Sequence, residues 1–197
     1  EVMEQLVLGL DHSGSIRTSI AAARENARVT RDLIPKDAWV AINELHGLIE
    51  RQSFASFDRS SRIRLLKQVI SGSRLWHGCL KASQARDLSW LFMRLGDRLE
   101  HADMVSRLVD PRVTQMAPGA SKRWSSYEAV GWQNLLSALG GVEFYRHSAR
   151  NRMLGSDVLD FVLRDENFPQ SMTSALDKVG RLLRNLPHQR VPTDLID

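Results

Sequence analysis

The chain has very little cysteine and no long apolar run. Its 197 residues include one cysteine, Cys79, which cannot form an internal disulfide and has no neighbours at metal-ligand spacing. No apolar stretch reaches the roughly 18 to 20 residues that span a bilayer, and no segment resembles a signal peptide. These absences favour a reducing setting, and we expect a soluble cytoplasmic protein that does not cross a membrane.

Motifs for strands, metals and catalysis are also missing. No segment shows strand-like alternation or an Asn-Gly hairpin, and no Gly-rich phosphate loop or Ser, His and Asp arrangement can be recognised. A di-metal bundle site needs two Glu-x-x-His motifs, whereas Glu143 and His147 lie four residues apart and form a single pair. We therefore expect no metal and no cofactor.

The charge of the chain is spread out and not clustered. The formal net charge is +4, with 27 basic residues interleaved among 23 acidic ones. Nucleic-acid binding usually requires a basic patch or stripe, so a nucleic-acid partner is not expected.

Apolar spacing of three and four residues recurs along the chain and predicts an all-α fold, an antiparallel bundle of about seven helices. We expect a single domain over residues 1–186 and a tail over 187–197. The residues predicted to cap or begin the helices are Ser13 or Ser15, Pro35, Ser60 or Ser61, Ser125 or Ser126, Ser156 and Pro169.

Some features mark breaks or close contacts in this pattern. Asp110-Pro111 should close the central helix, because a residue before proline is pushed out of the α region. The longest connection, 111–125, carries Trp124, which could anchor a partner or fold back on its own domain. Gly140-Gly141 lies inside a helix predicted to run to Arg150 and should mark a tight contact.

The central helix, residues 86–110, combines an apolar seam with a charged flank. The seam should be covered by other helices and consists of Leu88, Phe92, Leu95, Leu99, Ala102, Ser106 and Val109. Glu100, Asp103 and Arg107 follow its flank, and Arg24, Arg28 and Arg31 follow the flank of an earlier helix. Because half-buried charges need partners, we expect these two helices to be neighbours.

Four segments in order resemble the alpha-E domain family, a bacterial all-helical family named for its Glu-Arg pairs. They are ARENARVTRDLI from Ala23, FMRLGDRLEHADMVSRLVD from Phe92, WQNLLSALGGVEFYR from Trp132 and VLDFVLRDENFPQS from Val158. The resemblance implies that the family's N-terminal helices are missing here. Its pattern falls on Arg24, Glu25, Asn26, Arg28, Glu100, Asp103, Arg107 and Asp110.

Two positions depart from the family pattern. His101 stands where an arginine usually follows the glutamate, and Gln170 stands where an arginine usually lies in an FPRS-like turn. A helical wheel directs His101 about 100° away from Glu100, toward the outer face.

The resemblance implies a function but no established reaction. Members are typically encoded beside, or fused to, ATP-grasp-like ligases and transglutaminase-like proteins. We therefore expect a helical accessory domain of a peptide-modification system, with those proteins as partners and a homo-oligomer possible. The alternative is a catalytic or substrate-binding subunit of amide-bond chemistry with an Arg/Glu-lined cavity. An enzymatic role is the less favoured of the two.

The candidate site is a charged cluster of Arg24, Glu25, Asn26, Arg28, Glu100, Asp103 and Arg107. It could bind a carboxylate or a phosphate, or it could be a buried ion-pair network that fixes helix register. The structural hypothesis is preferred, because buried networks are commoner in bundles than ligand sites.

Overall fold

The computed structural model describes residues 2–53, 58–116, 128–148 and 153–187. Within these ranges the regular structure is entirely helical, which confirms the all-α prediction. The chain divides between Arg86 and Asp87 into two compact units, called here the N-terminal and the C-terminal unit. The single domain over 1–186 stays a prediction. In the described ranges, no helix has both the length and the apolar character that a membrane span requires.

In its described residues, the N-terminal unit contains four α-helices: α1 Val2–Leu8, α2 Ile16–Val29, α3 Lys36–Glu50 and α4 Arg59–Ser83. Ser15 caps α2 as predicted, since its Oγ accepts the Thr18 N–H at 3.1 Å. The helix ends at Val29. A short 3₁₀ turn follows, because Pro35 holds the preceding Ile34 in an extended conformation.

Helices α2 and α3 pack antiparallel. Arg17 at the start of α2 is largely buried and forms an ion pair with Glu50 at the end of α3, at 3.1 Å. Its Nη2 also donates to the Glu50 carbonyl at 3.2 Å, so one cation binds the negative end of α3. Two turns farther along α2, Arg24 Nε donates to Asn43 Oδ1 on α3, which fits the same antiparallel alignment. Polar contacts thus fix how the two helices align.

Helix α4 begins earlier than its serines indicate. Asp58 is the N-cap, and its Oδ1 accepts the Ser61 N–H at 2.8 Å, so the predicted caps at Ser60 and Ser61 are wrong. Hydrogen bonds from Ser61, and then from Ser60, lower the pKa of Asp58 to about 2. In the middle of α4, a Cβ added to Gly72 would lie 2.8 Å from Leu45 Cδ1, so this glycine permits a close helix approach.

The C-terminal unit contains α5 Leu88–Met116, α6 Glu128–Ala138, α7 Val142–His147, α8 Gly155–Arg164 and α9 Met172–Arg184. The predicted stop at Asp110-Pro111 is wrong, because α5 continues through Pro111. Proline removes the hydrogen bond to the Arg107 carbonyl. Since Arg107 and Pro111 are exposed, water can donate to the Arg107 carbonyl in place of the missing N–H.

The buried face of α5 differs from the predicted seam. Leu88, Phe92, Leu99 and Ser106 of that seam are exposed, and Val109 is its one fully buried member. The more buried side of α5 carries Arg98, His101, Val105 and Leu108 instead, and His101 contacts the turn before α9. The predicted burial of the seam is wrong because residue type alone does not show that long polar side chains can line a helix contact.

The helix predicted up to Arg150 is broken at Gly140. Gly140 has φ 65°, and its N–H donates to Ser137 while the Gly141 N–H donates to Leu136. This pair of hydrogen bonds is a Schellman motif, which ends α6 and lets α7 begin as a separate helix. The region between the described residues 116 and 128 holds the predicted caps Ser125 and Ser126 and also Trp124, so these predictions lie outside the described residues. Of the predicted tail over 187–197, residues 188–197 lie outside them as well.

Phe168 lies at the centre of the core of the C-terminal unit. It is 1% exposed and stacks on Phe161 with ring centroids 4.7 Å apart. A Cβ added to Gly141 would lie 2.8 Å from Phe168 Cζ, so the tight contact predicted for the glycine pair is confirmed at Gly141. Nothing lies within 4 Å of such a Cβ at Gly140.

The starts of the last two helices also differ from the sequence-based ones. Helix α8 begins at Gly155, whose backbone packs against the Trp132 ring, so Ser156 is not its cap. Ser171 caps α9 by accepting the Ser174 N–H at 3.0 Å, and Pro169 lies in the turn before it.

We predict that Gly141→Ala destabilises the protein by about 1 to 3 kcal/mol, because the new methyl group overpacks the core against Phe168. Gly96→Ala is the matched control. It lies in an exposed part of α5 with nothing within 4 Å of the new Cβ, and it should stabilise by up to about 1 kcal/mol. Urea unfolding of both variants measures the difference, and equal effects would contradict this account of Gly141.

Candidate functional site

On α2, Glu25 and Arg28 form a two-pronged ion pair. Arg28 Nη2 donates to Glu25 Oε1 at 2.6 Å and Arg28 Nε donates to Oε2 at 2.9 Å. The hydrogen bond from Arg28 is the main reason that the pKa of Glu25 is lowered, and the same bond raises the pKa of Arg28. Both side chains are more than half exposed, at 54% and 58%. The pair is therefore solvated and available at the surface.

Arg24 is held by uncharged groups. Its Nε donates to Asn43 Oδ1 at 2.8 Å, and its guanidinium carbon lies 5.7 Å from the centroid of the Trp39 ring. Arg31 lies at 5.6 Å from the same ring. Cation–π contacts at this distance are favourable, so Trp39 provides both arginines with a partner that we had expected to be a carboxylate. Asn26 is exposed, and its carbonyl accepts the Thr30 N–H.

On α5, Asp103 and Arg107 form an ion pair one turn apart. Arg107 Nε donates to Asp103 Oδ2 at 2.7 Å, and the two side chains are 74% and 46% exposed. Glu100, the third predicted member on this helix, is exposed too.

The structure therefore brings together Glu25 with Arg28 and Asp103 with Arg107, each pair within its own helix. The members on α2 belong to the N-terminal unit and those on α5 to the C-terminal unit. The network proposed to join the two helices stays a prediction.

The two departures from the family pattern contact each other. His101 Nε2 lies 3.0 Å from the Gln170 carbonyl oxygen, and His101 is half-buried. With the Nε2–H tautomer, the ring donates to that carbonyl and links α5 to the turn before α9. The outward orientation taken from the helical wheel is therefore wrong, because the outer face of an isolated helix is here covered by a turn from elsewhere in the unit.

A second charged cluster, not predicted from the sequence, lies where α5 contacts α9. Asp97 accepts from Arg94 at 2.9 Å and from Arg98 at 2.7 Å, and Lys178 on α9 donates to the Pro169 carbonyl at 3.2 Å. The spacing of Arg94, Asp97 and Arg98 on one helix could have indicated it. In the described ranges, no group of three His, Cys, Asp or Glu side chains is placed to hold a metal ion.

The fold and these sites define an all-helical protein that carries arginine–carboxylate pairs along its helices. Residues 1–195 match the sequence model of Alpha-E, described as a predicted alpha-helical domain with a conserved ER motif, and the chain belongs to this family.

Three relatives are uncharacterized mycobacterial proteins. One from Mycobacterium bovis and one from a strain of Mycobacterium tuberculosis are each 21% identical over 186 residues, and one from a second strain of Mycobacterium tuberculosis is 20% identical over the same length. The match covers 92% of this chain but only 20% of each relative. No solved structure matches the chain.

We predict that Arg107→Ala changes the free energy of unfolding by less than about 0.5 kcal/mol, because exposed pairs one turn apart contribute little. Arg146→Ala is the matched control, since Arg146 forms a similarly exposed pair with Glu143 outside the candidate cluster. Urea unfolding compares the two variants. A loss of about 3 kcal/mol or more for Arg107→Ala alone would establish a buried network instead.

Proposed function

We propose that this chain is a helical interaction domain that works in the cytoplasm with ATP-grasp-like ligases and transglutaminase-like proteins in a peptide-modification system. The partner classes follow from the resemblance to the alpha-E family. The observation that carries the role of an interaction domain is the outward face of α4, which offers both charge and apolar surface to a partner protein.

Helix α4 is strongly basic, so the expectation that charge is nowhere clustered is wrong along this helix. Its 25 residues contain six Arg or Lys residues and no Asp or Glu. Four exposed cations, Arg64, Lys67, Arg74 and Lys81, lie within about 100° of the helix circumference. At 1.5 Å per residue, they extend over about 25 Å of the helix. Like charges in one line repel each other, so a partner with matching carboxylates would relieve that repulsion.

Large aliphatic side chains lie beside these cations. Ile63, Ile70 and Leu75 are 47%, 50% and 54% exposed. A shallow depression of about 510 Å³ follows the first half of the face, lined by Ser60, Ile63, Arg64, Lys67, Gln68 and Ser71. Apolar contacts ringed by arginine are typical of protein interfaces, whereas a nucleic-acid backbone would leave the aliphatic groups uncovered. This combination supports a protein partner with an acidic and apolar surface.

The extent of the match to the relatives also supports the proposal. Because the match covers a fifth of each mycobacterial relative, the matching segment is one part of a longer protein there. A helical module joined to other domains suits a docking or positioning role.

The test is affinity purification of the tagged full-length protein from the organism that encodes it, with quantitative mass spectrometry. We expect stoichiometric recovery of an ATP-grasp-like or transglutaminase-like protein. Lys67→Glu/Arg74→Glu should lower that recovery about tenfold or more, because it reverses two charges on the docking face.

Lys36→Glu serves as the control. Lys36 is an exposed cation at the first position of α3, outside the α4 face, and a glutamate there suits the positive end of the helix. Recovery with this variant should equal that with the wild type. Recovery of neither partner class by the wild type would contradict the proposal, as would equal recovery by the α4 variant.

A further inference from the structure

The contact between α5 and α9 holds more positive charge than its carboxylate balances. Asp97 is half-buried, with 27% of its side chain exposed, and a single oxygen, Oδ2, accepts from Arg94 Nη1 at 2.9 Å and from Arg98 Nη2 at 2.7 Å. Arg98 Nε donates to the same oxygen at 3.1 Å, and its side chain is only 15% exposed. One negative charge therefore meets two guanidinium groups.

Two further basic side chains contact the turn before α9, close to this pair of helices. Lys178 Nζ donates to the Pro169 carbonyl at 3.2 Å, and His101 Nε2 lies 3.0 Å from the carbonyl oxygen of the next residue, Gln170. Lys178 from α9 and His101 from α5 therefore contact the carbonyl oxygens of two consecutive residues. His101 also lies one turn along α5 from Arg98, which places the turn beside the Asp97 cluster.

Lys178 interacts with several of the surrounding charges. Its pKa is lowered, first by burial and then by Arg98, Arg181 and Arg94, while Asp97 acts in the opposite direction. Arg181 lies one turn along α9 from Lys178, so the four cations Arg94, Arg98, Lys178 and Arg181 outnumber the carboxylates of Asp97 and of Asp177, the residue before Lys178. Such an excess in a half-buried contact is unfavourable until an anion balances it.

We propose that this contact is a binding site for a phosphate group, held by Arg94, Arg98, Lys178 and Arg181. Guanidinium forks match the geometry of phosphate oxygens and bind them in pairs, and because Arg98 already directs Nε and Nη2 at Asp97, this role falls to Arg94 and Arg181. A dianionic phosphate balances this excess of positive charge better than a single carboxylate does. Arg94 and Arg181 retain solvent access, so a ligand can reach them without opening the helix pair. This site is independent of the α4 docking face.

The test is isothermal titration calorimetry of the full chain with inorganic phosphate at constant ionic strength. We expect saturable binding that Arg94→Gln/Arg181→Gln weakens about tenfold or more, because hydrogen bonds to charged groups contribute strongly. Arg164→Gln is the control. Arg164 is an exposed cation on α8 paired with Asp160, outside the cluster, and its loss should leave phosphate binding unchanged.

Two further measurements keep the proposal falsifiable. Acetate at the same ionic strength should give no saturable binding, and acetate binding as tight as that of phosphate would overturn the assignment to a phosphate. In the wild type, phosphate should shift the NMR signals of the His101 ring and the Lys178 side chain, which requires no variant to fold. Unmoved signals, or equal phosphate binding by the double variant and the control, would overturn the site.

Discussion

The contact between the Phe168 ring and the backbone of Gly141 is the constraint on which the C-terminal unit depends. It holds the turn before α9 against the break between α6 and α7, while the same ring stacks on Phe161 of α8. Because Gly141 has no side chain, the aromatic ring can reach the backbone at van der Waals distance. Three segments that are distant in sequence are thereby fixed around one buried ring.

The position of the turn before α9 then determines which charged side chains lie together. Once Phe168 is fixed, Ser171 caps α9, and the carbonyls of Pro169 and Gln170 face Lys178 and His101. Helix α9 then packs on α5, while Leu88 and Phe92 of α5 stay exposed. The excess of cations at the α5–α9 contact is thus a consequence of how an aromatic core positions one turn.

The sequence predicted the helical class, the cap at Ser15 and the close contact at Gly141 correctly, because each rests on a local property of the chain. It failed where a distant segment decides the outcome. The more buried face of α5 is polar in sequence, whereas the apolar spacing predicts that a different face is buried. Arg24 was expected to meet a carboxylate, yet Trp39 and Asn43 take that place, and sequence spacing alone does not show which partner reaches a cation.

The most direct test of this account is amide hydrogen exchange in Phe168→Leu. The Tyr145 N–H in α7 and the Ser174 N–H in α9 both belong to elements that Phe168 holds together. Their protection should fall together, by about tenfold or more, because a smaller side chain loosens both contacts at once. Loss of protection at only one of the two amides would contradict the claim that this ring couples them.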